Sequence, residues 1–243
     1  TFVFGWSVKE TLFETDTNPD MEHLDFGYSQ SKWVSEQVVL RAMRHGLQAR
    51  IFRPALLSPS IAGDGYHFDI SIRLLAFMLK HRIGTTAENQ VSFSPADLAA
   101  DNIVAISSLP ESLGTICHVT RDTHATMLDI TTILAQLTGQ DFENFTLDDF
   151  VPEVIERCGK GDLLFPLLNF LVRSVSNITA MEFKRYDNSN FQRFRHQAPQ
   201  GREDPPLEDV VAGILGFMRG HGIVEGGHRL VSLESDERNR THA

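Results

Sequence analysis

Stretches with strand character alternate with helical ones through the first half of this chain, and that alternation restricts the fold more than any other feature. Residues 1–6 are aromatic and β-branched and predict a strand. Residues 7–26 are polar and acidic, carry an Asn18-Pro19-Asp20 turn signal, and predict an exposed loop. A long helix is predicted over 28–44. Its apolar positions Trp33, Val34, Val38, Leu40 and Met43 follow a 3.6-residue period only approximately, which predicts heavy burial. His45-Gly46 stops the helix, and 48–52 reads as a short strand before Arg53-Pro54. Strand, loop, helix and strand in this order predict a parallel sheet with crossover connections.

The pattern continues with less contrast. Residues 58–65 form a small-residue loop, 68–80 an amphipathic helix and 91–93 a brief strand. Pro95-Ala96-Asp97 opens a helix to about residue 107, with Asp97 in the first turn where the helix dipole favours it. A strand is predicted over 115–120 and a helix over 126–138, ended by Gly139. Helices are then predicted over 148–157, 162–175 and 207–221, and 233–243 is a charged, disordered tail.

Composition removes several classes of function. Of 243 residues, 42% are hydrophobic and 22% charged, which excludes whole-chain disorder. A chain this long can bury a core without disulfide staples. Its two cysteines, Cys117 and Cys158, are far apart, which excludes a disulfide scaffold and a thiolate zinc site and fits a reducing, cytoplasmic setting. No apolar run reaches the roughly 20 residues of a membrane span. The strongest, 163–172, is interrupted by Pro166 and Asn169. A net charge of −10 argues against a general nucleic-acid binder. The histidines are scattered without metal-ligand spacing, so no metal is expected, and His118 lies in an apolar strand and reads as a core histidine. Met78, Met127 and Met181 also read as core, and the sequons at Asn144, Asn177 and Asn239 as chance.

Chemistry concentrates in Tyr28-Ser29-Gln30-Ser31-Lys32. Residues four apart share a helical face, so Tyr28 and Lys32 can interact. A phenol is a poor acid at neutral pH, and an ammonium close by favours its ionised form. Such a tyrosine can give a proton to a carbonyl oxygen that is being reduced. Taken alone, the spacing equally suits a solvated helix face.

Its context is more specific. Gly27-Tyr28-Ser29-Gln30-Ser31-Lys32-Trp33-Val34-Ser35-Glu36, followed by Ile51-Phe52-Arg53-Pro54-Ala55-Leu56-Leu57-Ser58-Pro59, resembles the extended short-chain dehydrogenase/reductase superfamily. More narrowly it is similar to the thioester reductase domains that end nonribosomal peptide and polyketide synthases, and to those of carboxylic acid and aminoadipate reductases. Pro95-Ala96-Asp97 with Asn102-Ile103-Val104, and Gly114-Thr115-Ile116-Cys117-His118-Val119, resemble later segments of the same family. The resemblance implies Tyr28 and Lys32 as catalytic residues that also bind the cofactor, and a backbone passing the nicotinamide at Pro54, Ala55, Leu56 and Leu57. It implies a Ser or Thr at a strand end as a further catalytic hydroxyl. Thr1, 27 residues before Tyr28, fits that place, and Ser7 is a weaker competitor.

The fold class implied is α/β: the C-terminal portion of a Rossmann-type NAD(P)-binding fold plus a mostly helical substrate-binding lobe. The Gly-rich turn of such folds is missing from its expected place, since Gly63-Asp64-Gly65 and 220–227 read as turns. The chain opens on Thr1-Phe2-Val3-Phe4 and reads as part of a larger polypeptide. Expected divisions are 1–60 for the catalytic core strip, 61–232 for the lobe, with 90–120 returning to the core sheet, and 233–243 for the tail.

The resemblance implies NADPH as cofactor and, as partner, a carrier protein bearing a phosphopantetheine-linked acyl or peptidyl thioester, with no nucleic acid or membrane. The reaction implied is reductive release to an aldehyde, and on to the alcohol with a second hydride. Two alternatives stand beside it: another extended short-chain enzyme (epimerase, dehydratase or carbonyl reductase), and a truncated, non-catalytic binding module. The basic cluster Lys184-Arg185 with Arg193-Phe194-Arg195-His196 reads first as a solvated face, and otherwise as a dock for an acidic carrier or its phosphopantetheine phosphate.

Overall fold

A computed structural model describes residues 3–7, 9–22, 24–65 and 68–224. In chain order the elements are β1 (Thr11–Leu12), α1 (Gly27–Arg44), β2 (Ile51–Pro54), β3 (Leu56–Ser58), α2 (Ile70–His81), β4 (Ile83–Thr85), β5 (Phe93–Pro95) and α3 (Ala96–Ser107). There follow β6 (Ile116–Val119), α4 (Met127–Thr138), β7 (Glu143–Phe145), α5 (Leu147–Arg157), α6 (Leu168–Ala180), β8 (Arg185–Tyr186), α7 (Ser189–Gln197) and α8 (Leu207–Gly220). Local chemistry explains the firm boundaries. Asp69 accepts from the Ile72 N–H to cap α2. Thr126 and Asp129 form a reciprocal capping box on α4, and Gly139 ends it at φ 68°.

The strands pair in parallel, as the alternation predicts. β2 lies against β6 with Ile51 opposite Ile116, and β3 against β5 with Leu56 opposite Phe93. β4 pairs with β7, and β1 with β8. At Ala55, whose N–H donates to the Val119 carbonyl, the chain leaves one neighbour and takes another.

Among the described residues this packing gives three apolar cores. The largest joins α2, β4, α4, α5 and α8 around Ile72, Met78, Leu134, Val154, Ile214 and Phe217. A smaller one joins α3, β6 and α7 through Ala99, Ile106, Cys117, Val119, Phe191 and Phe194. Val3, Phe4 and Leu12 make a third, with Tyr186 against it. The loop after β3 lies tight on α8: a Cβ at Gly213 would come within 2.7 Å of the Ser60 carbonyl oxygen, so only glycine fits there.

Several expectations are corrected. Residues 3–6 form a turn instead of a strand, because Gly5 adopts φ 54° and the Ser7 N–H donates back to the Phe4 carbonyl. The stretch 7–26 is not wholly exposed, since Leu12, Glu14 and Leu24 are buried. Helix α1 is lightly buried: Ser29 and Glu36 are its buried residues, while Val34 and Val38 face solvent. The helix expected from 162 starts later, after a 3₁₀ turn at Phe165–Leu167, because Pro166 lacks the N–H a helix interior requires. The strand expected over 48–52 lies at β2. Thr1 and the tail 233–243 lie outside the described residues.

Candidate active site

Helix α1 begins without a side-chain N-cap, and its first turn is tied down by other means. The Ser29 hydroxyl donates to the Phe26 carbonyl at 2.7 Å and the Gln30 amide to the Leu24 carbonyl at 2.8 Å. One turn on, the Trp33 indole and the Gln37 amide both donate to the Asn18 carbonyl, at 3.0 and 3.3 Å. The Asn18 amide in turn donates to the Val3 carbonyl at 3.0 Å. The loop before the helix is thus bonded to it on one side and to the N-terminal turn on the other.

This anchoring leaves the opposite face free. Tyr28 is 56% exposed and Lys32 is exposed as well. The structure brings the two together, with the Lys32 ammonium 5.5 Å from the centre of the Tyr28 ring, a favourable cation–π arrangement. Phe26 stacks parallel to Tyr28 at 6.3 Å, which limits where the phenol can swing.

Two further motif residues meet in the interior. Glu36, two turns after Tyr28, takes both Nε and Nη2 of Arg53 on β2, at 2.9 and 2.6 Å. This fork-to-fork pair is buried and pins α1 to the strand that leads into Pro54–Leu57. The same Nη2 also donates to the Asp16 carbonyl at 2.9 Å, and the guanidinium lies 4.8 Å over the Phe4 ring. Its third contact is His118 Nε2, at 3.1 Å. His118 Nδ1–H donates to the Asp187 carbonyl at 2.7 Å, so Nε2 accepts from arginine and the ring is neutral. Burial, reinforced by the Arg53 charge, holds its pKa down to about 4. His118 is the satisfied core histidine that the strand context predicts.

Glu14 completes this buried layer. It is 1% exposed and accepts from the backbone N–H groups of His118 at 2.7 Å, Asn190 at 2.5 Å and Phe191 at 3.2 Å. Two of those donors belong to the first turn of α7, whose open N–H groups need an acceptor. Burial nevertheless pushes the carboxyl above its ordinary pKa, against the pull of these bonds. A single carboxylate therefore joins the N-terminal loop, β6 and α7.

Pro54, Ala55, Leu56 and Leu57 lie where β2 gives way to β3, all partly buried. Leu56 packs on the large core and Leu57 on the smaller one, so the segment bridges the two.

Sequence reasoning missed the cavity beside the helix start. About 390 Å³ in volume, it is lined by Asp25 and Phe26 from the loop and by Asn169, Phe170, Arg173 and Ser174 from α6. Phe170 meets Phe26 edge-on at 5.5 Å and the Trp6 ring at 6.4 Å, and the Trp6 indole donates to Asp25 at 3.0 Å. No local signal marks Phe170, because its partners lie more than 140 residues away in the chain.

The basic cluster is also corrected. Two of its members depart from the expectation: Arg195 and Lys184 are buried, while Arg185, Arg193 and His196 are solvent-exposed as expected. Arg195 donates to Asp122, 73 residues away, at 2.7 Å and to Glu203, eight residues on, at 3.0 Å, and these carboxylates offset its charge. Among the described residues, no group of His, Cys, Asp and Glu is placed to hold a metal ion, and no helix is long and apolar enough to cross a membrane.

The parallel strand pairs, with helices between them and a change of neighbour at Ala55, are those of a Rossmann-type α/β fold. Residues 4–103 match the NAD-binding family described as Male sterility protein. The chain is 32% identical over 152 residues to the nonribosomal peptide synthetase asaC of Aspergillus flavus, covering 60% of this chain and 15% of that one. The solved terminal R domain from the myxalamid PKS-NRPS pathway shares the fold at TM-score 0.79 and 20% identity, covering 89% of this chain and 56% of that one. A thiolation-reductase di-domain from an archaeal non-ribosomal peptide synthetase matches at TM-score 0.69 and 18% identity, over 87% of this chain and 44% of that one. In sequence the chain is thus similar to nonribosomal peptide synthetases, and in fold to solved terminal reductase domains. It spans about a sixth of the length of the curated relatives it matches.

Proposed function

We propose that this chain is the catalytic edge and substrate lobe of an NADPH-dependent reductase that releases a carrier-bound acyl or peptidyl thioester as an aldehyde, with a second reduction giving the alcohol. The observation that carries the reading is the exposed Tyr28–Lys32 pair, with Tyr28 stacked on Phe26 of the cavity wall and its helix pinned by the Glu36–Arg53 pair. The carrier as partner, and membership of a larger polypeptide, are supported by the synthetase relative and by the thiolation-reductase di-domain. Residues 1–60 are assigned to the core and 61–232 to the lobe, with 90–120 returning to the core.

The residues fit the nicotinamide end of the cofactor. Lys32, exposed one turn along from Tyr28, is free to bond ribose hydroxyls, and the backbone at Pro54, Ala55, Leu56 and Leu57 would border the ring. When bound, the reduced nicotinamide supplies the hydride that the carbonyl carbon accepts. Tyr28 then donates its hydroxyl hydrogen toward the oxygen on which charge develops, and Thr1 is assigned the second donor hydroxyl there. The aromatic walls Phe26 and Phe170 exclude water from the reacting carbonyl.

The test is Tyr28→Phe in the full-length protein, with NADPH oxidation followed on a pantetheine-type thioester. Loss of the proton donor is expected to cut the rate about 100-fold or more. The melting temperature should move by less than about 2 °C, since the lost hydroxyl is on an exposed ring. Activity within about tenfold of the parent overturns the assignment, and turnover of free carbonyls with indifference to thioesters favours the epimerase or carbonyl-reductase reading.

A further inference from the structure

A second cavity, of about 360 Å³, lies at the far end of α6. Lys9 and Glu10 line one side, and Ala180, Met181, Phe183 and Lys184 the other. Lys184 is only 7% exposed, yet the sole acceptor its ammonium finds among the described residues is the Met181 thioether at 3.1 Å, a weak one. Glu10 is exposed and makes no ion pair with it among those residues, and Lys9 is already paired with Asp16 at 2.6 Å. A buried cation without an anion is costly, and it sits where a ligand could supply one.

The two cavities are on one face of one helix. Arg173 and Ser174 line the first, and Ala180 and Met181, each seven residues on, line the second. Seven residues are close to two full turns, so Arg173 and Ala180 point the same way along α6, and Met181 is the residue that caps its end. From Phe170 to Ala180 the helix advances about 15 Å. Beside it runs the N-terminal segment, with Trp6 against Phe170 and with Lys9 and Glu10 at the second cavity. A phosphopantetheine arm has about thirteen bonds from phosphorus to sulfur and spans roughly 16 Å when extended.

We propose that the Lys184 cavity is the phosphate subsite of the pantetheine arm, placed one arm's length along α6 from the cavity where the thioester is reduced. This rests on the carrier-thioester reading above. Burial pushes the Lys184 ammonium down to about 8, and a phosphate dianion in contact with it would restore the charge that burial disfavours.

The experiment is calorimetric titration of the full chain with phosphopantetheine and with pantetheine, for the parent, Lys184→Met and Lys184→Arg. The parent should bind the phosphorylated ligand about 10- to 100-fold more tightly, as one charge-assisted contact allows. In Lys184→Met that ratio should fall below about threefold, and in Lys184→Arg part of it should survive. Pantetheine affinity and the melting temperature show whether each variant is folded. Equal affinity of the parent for both ligands, failure of the parent to bind phosphopantetheine, or an unchanged ratio in Lys184→Met overturns the subsite. Phosphate-dependent binding with no thioester reduction would instead sink the reductase reading and leave the subsite standing.

Discussion

Helices α1 and α8 are held in place by opposite means. Along α8, Val210, Val211, Ile214, Leu215, Phe217 and Met218 are all buried, each contributing roughly 1.5–3 kcal/mol of apolar burial. The longer α1 buries only Ser29 and Glu36. It is fixed by directional bonds: Ser29 and Gln30 at its start, Trp33 and Gln37 to Asn18, and Glu36 to Arg53. Apolar packing is tolerant of small shifts, whereas a bidentate ion pair sets rotation and height together. A helix that keeps a tyrosine and a lysine exposed on one face cannot bury its whole circumference. Polar anchors on one side allow the other to remain open.

Cutting the polar anchor tests this contrast most severely. Glu36→Ala leaves the Arg53 charge buried and should cost about 3–5 kcal/mol in denaturant unfolding. Adding Arg53→Met should recover part of that loss, because no charge is then stranded. Below its unfolding transition, Glu36→Ala should also lower the reduction rate more than any equally destabilising change in the lobe. Parity between the two would mean that the pair stabilises without positioning.

The apolar side of the comparison is tested by Ile214→Ala, which removes a fully buried side chain from α8 and should cost about 2–4 kcal/mol. Here the rate measured well below the melting temperature should stay within about threefold of the parent. A large loss of rate would show that the two helices are less independent than their anchors imply.

Acid provides the mildest probe. His118 is held neutral with a pKa of about 4, below the ordinary value of 6.5 that it regains on unfolding. Between those values the unfolded chain takes up the proton first, so His118's contribution is intact above pH 6.5 and is lost as pH falls toward 4. The expected change is on the order of 1–3 kcal/mol across the window. Glu14 opposes it: its raised pKa stabilises the fold at low pH, and that contribution is lost as pH rises through the raised value. Melting temperatures from pH 7 to 5 should therefore fall less steeply in His118→Gln than in the parent, which isolates the imidazole. Parallel curves would contradict the neutral, arginine-facing ring.

The same contrast explains what could be read from the sequence. Helices α2, α4 and α8 announce themselves through apolar period and caps such as Asp69, Thr126 and Gly139, all local signals. The parallel pairing followed from the strand and helix order. Strands β1, β4, β7 and β8 are two or three residues long and carry no period to detect. Helix α7 was hidden in a basic cluster, because the acids that allow Arg195 to be buried come from residues 122, 203 and 204. Tyr28 and Lys32 were legible since one helical turn joins them. The Phe26–Phe170 cavity was not, since only the folded chain brings its walls together.

Glu14 has a consequence for how the protein is made. Its hydrogen bond to Asn190 joins residues 176 positions apart. At a ribosome adding about 5–20 residues per second, the carboxylate waits roughly 9–35 s before that donor is synthesised. Throughout that interval the segment that presents Tyr28 has its sequence but not its full set of bonds. The segment that presents Tyr28 therefore completes its bonds only once the first turn of α7 has been translated.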